Sequence, residues 1–468
     1  MLTRLLACLF ASLTLSACAL QTPLPEQPIA PPAHWSTESS AELETTDWTA
    51  WQSAQLQTLQ QQALSANLDI ASSIARLRQA DAQLQQSGAS LLPQLSAGLG
   101  ANRSDSERTD SDGNSSRNSY SGNLNASYEV DLWGRLRAER DASRASLLAS
   151  EFDHASLLLT IEASVASTWF QRLETRRRLQ LAEDSLANAQ RVLELVENRY
   201  RLGAIDSLEV SQQRTLVAQL QAGLPTLRQQ YRQQSNALAL LIGQGPDAEL
   251  PESAPALLAD LQVPEIAPGL PASLLQRRPD IRASEARLQA ANADLTAARA
   301  ALYPSIQLTG QYGAQSLALS SLVNNPVTAW NLAAGLSQPI FQGGRLRARV
   351  AQTRARQDEL LIDYQRTLLT AFIDVDNALS NVDQTRQRAA YLAATEAEAS
   401  RALELAEIRY RSGAIDLQTL LDTQRTWYSS QDNLAQVRAA QLLASVDLFR
   451  ALGGGWQAGA VSYPTDND

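Results

Sequence analysis

Arg199-Tyr200-Arg201-Leu202-Gly203-Ala204-Ile205-Asp206 returns later in the chain as Arg409-Tyr410-Arg411-Ser412-Gly413-Ala414-Ile415-Asp416, an offset of 409 − 199 = 210. Gly134-Arg135-Leu136-Arg137-Ala138 returns at the same offset, as Gly344-Arg345-Leu346-Arg347-Ala348. Two separate matches at one spacing imply that the whole unit is duplicated. The 468 residues therefore read as two structural repeats of about 200 residues, not the three or so domains that length alone suggests.

Working outward from these motifs, residues 135–202 and 345–412 contain neither Gly nor Pro. A helix of about 65 residues is about 100 Å long. Leu361, Tyr364, Leu368, Ala371, Val375, Ala378 and Val382 step by alternating threes and fours, the seam of a coiled coil. Gly203 and Gly413 then stop each helix, as a glycine in a left-handed cap does. Return helices are predicted over 207–242, with a kink at Pro225, and over 417–452. Each repeat thus holds a long antiparallel helical hairpin.

On the other side of the long helices the period changes from helical to two. Helical periodicity from Leu56 to Leu92 stops at Pro93, and its counterpart from Ser273 stops at Pro304. Leu95, Ala97, Leu99 and Ala101 then alternate with small or polar residues, and after a polar loop Tyr120, Leu124, Ala126, Tyr128 and Val130 alternate with Ser121, Asn123, Asn125, Ser127 and Glu129. Repeat 2 offers Ile306, Leu308 and Tyr312, then Trp330, Leu332, Ala334 and Leu336. Such runs suit tilted strands with one face to lipid and one to a polar lumen, or a soluble hairpin with one buried face. Tyr120 and Trp330, 330 − 120 = 210 apart at the same end of their strands, favour the membrane reading as interfacial aromatics. Four strands cannot close a membrane barrel, and an open edge in lipid strands backbone groups without partners. The protomers must therefore associate: two would give eight strands and a filled interior, three would give twelve and a channel.

The first residues set the compartment. Arg4, an apolar run over 5–13 and Leu15-Ser16-Ala17-Cys18 form a secretory signal too short to span a bilayer. The last four residues resemble a bacterial lipobox, which implies cleavage before Cys18 and lipid on its sulfur and new amino group; ordinary cleavage with Cys18 incidental is the alternative. Cys18 would be the only cysteine left, with no disulfide partner. Ala19 is not an inner-membrane retention Asp, which allows the outer membrane. The organisation expected is a signal peptide over 1–17, a lipidated tether over 18–50, and repeat 1 over 51–242 with strands about 94–102 and 119–132 and a tip at 200–207. A linker over 243–271 follows, then repeat 2 over 272–453 with strands about 305–314 and 329–341 and a tip at 410–417, and a tail over 454–468.

A net charge of −10, with no basic cluster along any strand or helix, disfavours nucleic acid as a partner. All 39 basic residues are Arg. His34 and His154 are the only histidines and share no metal-ligand spacing, so neither a metal centre nor a Ser-His-Asp set is expected, and no cofactor. His154 aligns with Tyr364 on the seam (364 − 210 = 154), a packing position. Glycines 453–455 lack the strand before and helix after that a phosphate loop needs.

Leu274-Leu275-Gln276-Arg277-Arg278-Pro279-Asp280-Ile281, Ala286-Arg287-Leu288, Ala300-Ala301-Leu302-Tyr303-Pro304-Ser305-Ile306 and Leu420-Leu421-Asp422-Thr423-Gln424-Arg425 resemble a TolC-type outer-membrane efflux factor of the lipoprotein (NodT-like) branch. The tip motifs and Ala237-Leu238-Ala239-Leu240-Leu241-Ile242-Gly243 match as well, so the resemblance covers nearly the whole mature chain. It implies a mostly α protomer with a membrane β-barrel part, in which three copies close a 12-stranded barrel in outer-membrane lipid and a periplasmic helical tunnel. The tunnel docks on a periplasmic membrane-fusion adaptor coupled to an inner-membrane pump, the resistance-nodulation-division type being favoured, and serves as a passive exit duct for small molecules and drugs. It also implies a gate at the second tip, here Asp416 flanked by Ile415 and Leu417, and docking at tips marked by Arg199, Gly203, Asp206, Arg409 and Gly413, with Arg201 and Arg411 beside them. Residue chemistry keeps plainer roles open: Asp206 and Asp416 as helix caps, and the arginines as solvated helix-end charges. Type I protein secretion, metal efflux and a non-channel coiled-coil lipoprotein scaffold are the alternatives in function. No catalytic set supports a cell-wall enzyme.

Overall fold

A computed structural model describes residues 23, 29–35, 47–106, 115–246, 258, 261–269, 271–324, 326–454 and 456. The expected signal peptide, Cys18, most of the tether, residues 107–114, part of the expected linker and nearly all of the tail lie outside the described residues. The elements are α1 (Ala54–Ala66), α2 (Leu68–Ala89), β1 (Gln94–Ser106), β2 (Ser115–Val130), α3 (Arg135–Arg201) and α4 (Ser207–Leu241), then α5 (Leu274–Arg277), α6 (Pro279–Ala300), β3 (Ser305–Ser316), α7 (Leu319–Asn324), β4 (Val327–Ser337), α8 (Arg345–Arg411) and α9 (Leu417–Ala451). They group into two compact units, each described by itself: one from residues 76–151 and 283–366 with the start of the chain, the other from 29–75, 152–282 and 367–468.

In the strand-bearing unit one antiparallel sheet runs in the order β1-β2-β3-β4. Its register sorts the side chains by chemistry. Ser121, Asn123, Asn125 and Ser127 lie opposite Gln315, Gly313, Gln311 and Thr309, a face of hydroxyls and amides. On the other face Leu124 lies opposite Tyr312, Tyr128 opposite Leu308, and Tyr312 opposite Trp330. That apolar face carries Leu99 at 92% and Trp330 at 73% exposure, so the protomer alone leaves it uncovered. Three strands are longer than the alternation predicts, since β1 reaches Ser106, β2 begins at Ser115 and β3 reaches Ser316. The polar residues there are strand because the partner strand, not the apolar pattern, supplies their hydrogen bonds. β4 runs from Val327 and stops at Ser337, not 341, two residues before Pro339, which has no N–H for a ladder. Below the sheet Trp133 stacks on Tyr303 with ring centroids 4.9 Å apart and donates its indole N–H to the Pro304 carbonyl at 2.7 Å.

The second unit is helical. Its core packs Trp51, Leu56, Leu59, Trp169, Phe170, Leu238, Val446 and Phe449. The helix expected over 56–92 is two helices broken at Asn67, whose backbone is extended. The Asn67 side chain accepts from the Asp69 and Ile70 amides at 2.9 and 3.1 Å and donates to the Leu241 carbonyl at 2.9 Å. Asn67 thus caps α2 and fastens α4 at once. The counterpart break is at Arg278, where Pro279 opens α6 as a first-turn proline can. The tether expected to reach residue 50 ends earlier, because residues Trp48–Trp51 form a 3-10 turn whose indoles pack against each other and against Phe449. Within the described part of the expected linker, Leu258 is buried and Leu261, Val263 and Ile266 pack on the core. Pro225 lies within α4 without ending it. Leu368, Ala371, Val375 and Ala378 of the seam are buried. His154 takes a packing position and shares a 2.6 Å hydrogen bond with Ser73.

Candidate functional site

The two hairpin tips are built by one device used twice. Gly203 and Gly413 sit at φ +71° and +76°, a region other residues enter at a cost. From there the Gly203 and Ala204 amides reach back to the Tyr200 and Arg199 carbonyls, each at 2.9 Å, and Gly413 and Ala414 repeat the pattern on Tyr410 and Arg409. Two residues on, Asp206 accepts from the Leu208 amide at 2.8 Å and Asp416 from the Thr419 amide at 2.9 Å. Both aspartates are therefore N-caps of the return helices. Thr419 also donates its hydroxyl to Asp416 at 2.6 Å, and the two Thr419 bonds hold the exposed Asp416 carboxyl below the usual carboxylate range.

The predicted gate trio separates. Asp416 is exposed, but Leu417 is buried and Ile415 half-buried, and both belong to a core shared by the two tips with Val196, Val210 and Leu421. The reason is helical phase: Leu417, Leu420, Leu421 and Gln424 form the inward stripe of α9, which leaves Asp416 alone facing outward. The predicted docking arginines separate as well. Arg409, Arg201 and Arg411 are exposed, whereas Arg199 is half-buried and engaged within the chain. Its guanidinium lies 5.0 Å from the Tyr410 ring centroid and donates to the Tyr410 carbonyl at 3.3 Å. The Tyr410 hydroxyl donates to Glu209 Oε2 at 3.3 Å, and burial, with Glu209 close by, pushes the phenol up. Tyr410 at the end of α8 is thus clamped between the end of α3 and the start of α4, which links the second hairpin to the first. Sequence reasoning missed Tyr410 and Glu209. One signal for Glu209 was available: its repeat-2 counterpart is Thr419 (209 + 210 = 419), so the near-identical tips differ where they touch.

Further from the tips, Arg178 of α3 grips Asp432 of α9 through Nε at 2.6 Å and Nη2 at 3.3 Å. Arg278, from the Arg-Arg-Pro-Asp run, is bound to Asp280 at 2.6 and 3.0 Å, to Asp374 at 3.3 Å and to the Ala451 carbonyl at 3.3 Å. That motif is structural: it ties the break before α6 to α8 and α9. Tyr120 and Trp330 share the apolar face of the sheet but not a row, Tyr120 being opposite Ser316 and Trp330 opposite Tyr312. Among the described residues no helix is long and apolar enough to cross a membrane, and no group of three or more His, Cys, Asp or Glu side chains could hold a metal ion.

A two-repeat protomer with an unclosed amphipathic sheet and paired long hairpins is the pattern of a described family. The model for "Outer membrane efflux protein" matches residues 59–244 and 270–454, one segment per repeat. The chain belongs to the outer membrane efflux protein family. It is an efflux channel of the outer membrane. It is 44% identical to the pyoverdine export outer membrane protein OpmQ of Pseudomonas putida, covering 98% of each chain. It is 40% identical to OpmQ of Pseudomonas aeruginosa over 97% of each. Among solved structures, the outer-membrane channel OprN superposes with a TM-score of 0.87 at 28% identity, over 94% of this chain and all of that one.

Proposed function

We propose that this efflux channel acts as a homotrimer, a passive exit duct without catalytic chemistry. In this reading a lipid on Cys18 anchors it in the outer membrane, Tyr120 and Trp330 sit at the membrane interfaces, and the hairpin tips meet a periplasmic adaptor and an inner-membrane pump of the resistance-nodulation-division type. Asp416 and the Tyr410 clamp belong to the entrance gate, and Arg409, Gly413, Gly203 and Asp206 to the docking surface. Its cargo is pyoverdine or a molecule of that class, on the strength of the 44% identity to a pyoverdine exporter.

The observation that carries closure between copies is the pair of free sheet edges, read through the repeat; twelve strands, not eight, leave the channel that efflux needs. Ala126 of β2 pairs with Gly310 of β3. β4 repeats β2 at 210, and β1 repeats β3 at 304 − 93 = 211, counted from the prolines before them. Applied to the free edges, the same pairing sets Leu336 (126 + 210) of one copy opposite Leu99 (310 − 211) of the next. Apolar faces stay aligned, and every strand gains the partner that lipid demands. The turn after β4 leaves Ile340 and Phe341 at 89% and 86% exposure, and Leu92 before β1 is at 65%. In a trimer those side chains would meet as Trp133 and Tyr303 meet within the chain.

Cysteine cross-linking tests this reading. Leu99→Cys/Leu336→Cys should give oxidised dimers and trimers in outer membranes. Leu95→Cys/Leu336→Cys, displaced by roughly 13 Å along the strand, should stay monomeric on the same gel. Cross-linking of the displaced pair alone would refute the register, and no cross-link from either pair would refute strand closure between copies. Secreted pyoverdine from a Pseudomonas putida strain lacking its own OpmQ tests the cargo: restoration by this chain is expected, and no restoration despite normal insertion would exclude that cargo.

A further inference from the structure

The short helix α7 lies between β3 and β4 yet contacts β2 as well as β3, so it folds back across the sheet instead of extending the hairpin. It lies over the hydrophilic face. A cavity of about 980 Å³ separates it from the strands, with Ala318 and Ser321 on one wall and Ser121, Asn123, Gln311 and Gln315 on the other. Ser321, on the cavity wall, is half-buried. Leu319 and Val323, one turn apart on the opposite side of the helix, are 61% and 79% exposed. Among the described residues none covers these two aliphatic side chains.

We propose that α7 forms an apolar constriction at the outer mouth of the channel, with a second and third copy of this chain as the occupants of its exposed face. The inference rests on the trimeric reading above. In a closed barrel the polar face lines the lumen, so α7 lies inside the wall and the Leu319/Val323 side points to the barrel axis. Twelve strands about 4.8 Å apart, tilted by about 40°, make a ring of about 75 Å circumference and about 12 Å radius. Three helices standing inward from a wall of that radius cannot pass without touching. A ring of Leu319 and Val323 from three copies would be an apolar neck, and such necks control permeation by expelling water. It would be a second barrier, at the end of the sheet remote from the long helices, separate from the periplasmic tips.

Val323→Cys in the full-length protein tests the inference, with Leu99→Cys/Leu336→Cys as the parallel control for barrel closure. Oxidation of Val323→Cys should link two copies in outer membranes. In planar bilayers the oxidised channel should lose at least about fivefold in conductance, with recovery on reduction, while the protein without added cysteines is indifferent to both reagents. If the strand-edge pair links but Val323→Cys does not, the α7 helices do not meet and the proposal fails. If Val323→Cys links with unchanged conductance, they meet without forming a barrier, and the proposal fails. If neither links, the trimeric closure underneath it fails.

Discussion

Tyr410→Phe isolates the clamp between the two hairpins. The ring is 2% exposed, so the substitution keeps its packing, and it keeps Arg199 over the ring and bonded to the backbone carbonyl. Only the 3.3 Å hydrogen bond from the hydroxyl to Glu209 is lost. A bond of that length in a partly exposed place is worth about 1 kcal/mol net. That is about fivefold in an equilibrium between tips held together and tips apart. In a trimer whose three clamps release together the same change reaches about 3 kcal/mol, or about 150-fold. Single-channel open probability in a planar bilayer reads it directly. Tyr410→Phe should raise open probability by between about fivefold and about 150-fold, and Arg199→Ala should add to it by removing a cation–π contact worth about 0.5–1 kcal/mol. An open probability equal to that of the parent in both variants would show that the clamp bears none of the closing force.

Other consequences are open to direct measurement. A Cβ on Gly243 would lie 2.2 Å from the Ala66 carbonyl oxygen, with the backbone at φ +71°, so Gly243→Ala should lower the melting temperature in detergent by several degrees. Gly223, inside α4 with nothing within 4 Å of its Cβ position, should respond in the opposite direction, with Gly223→Ala stabilising by about 0.5–1 kcal/mol. Burial pushes the Glu162 carboxyl above its ordinary range, so its ionised form opposes folding above that raised value and the opposition fades as pH falls through it. Glu162→Gln should therefore stabilise the protein at neutral pH, and the gain should vanish in acid; a gain that persists unchanged at low pH would contradict the burial argument. Finally, a chain with no lysine has one primary amine, at its N-terminus. If Cys18 carries lipid on its amino group, the mature protein should not react with an amine-directed dye, and Cys18→Ser should; labelling of the native protein would refute N-acylation.

What the sequence determined by itself was whatever rests on local period and local backbone freedom. The 210-residue offset, the Gly- and Pro-free stretches, the alternation after Pro93 and Pro304 and the glycine–aspartate tips each specify a nearby conformation, and the helices, strands and turns lie where those signals place them, to within a few residues. Apart from the stops set by Pro279 and Pro339, the departures have distant partners. Asn67 breaks a helix because the Leu241 carbonyl 174 positions away waits for its amide. Residues such as Arg103 and Arg117 extend the strands because a cross-strand neighbour completes the ladder. Leu417 is buried because the phase of α9 against α3, α4 and α8, which one helix cannot announce, turned it inward. Glu209 and Tyr410 are 201 residues apart, and only the packing of one hairpin on the other brought a carboxylate and a phenol together. Periodicity reports which face of an element is apolar; which neighbour that face meets is decided by the joint packing of all of them.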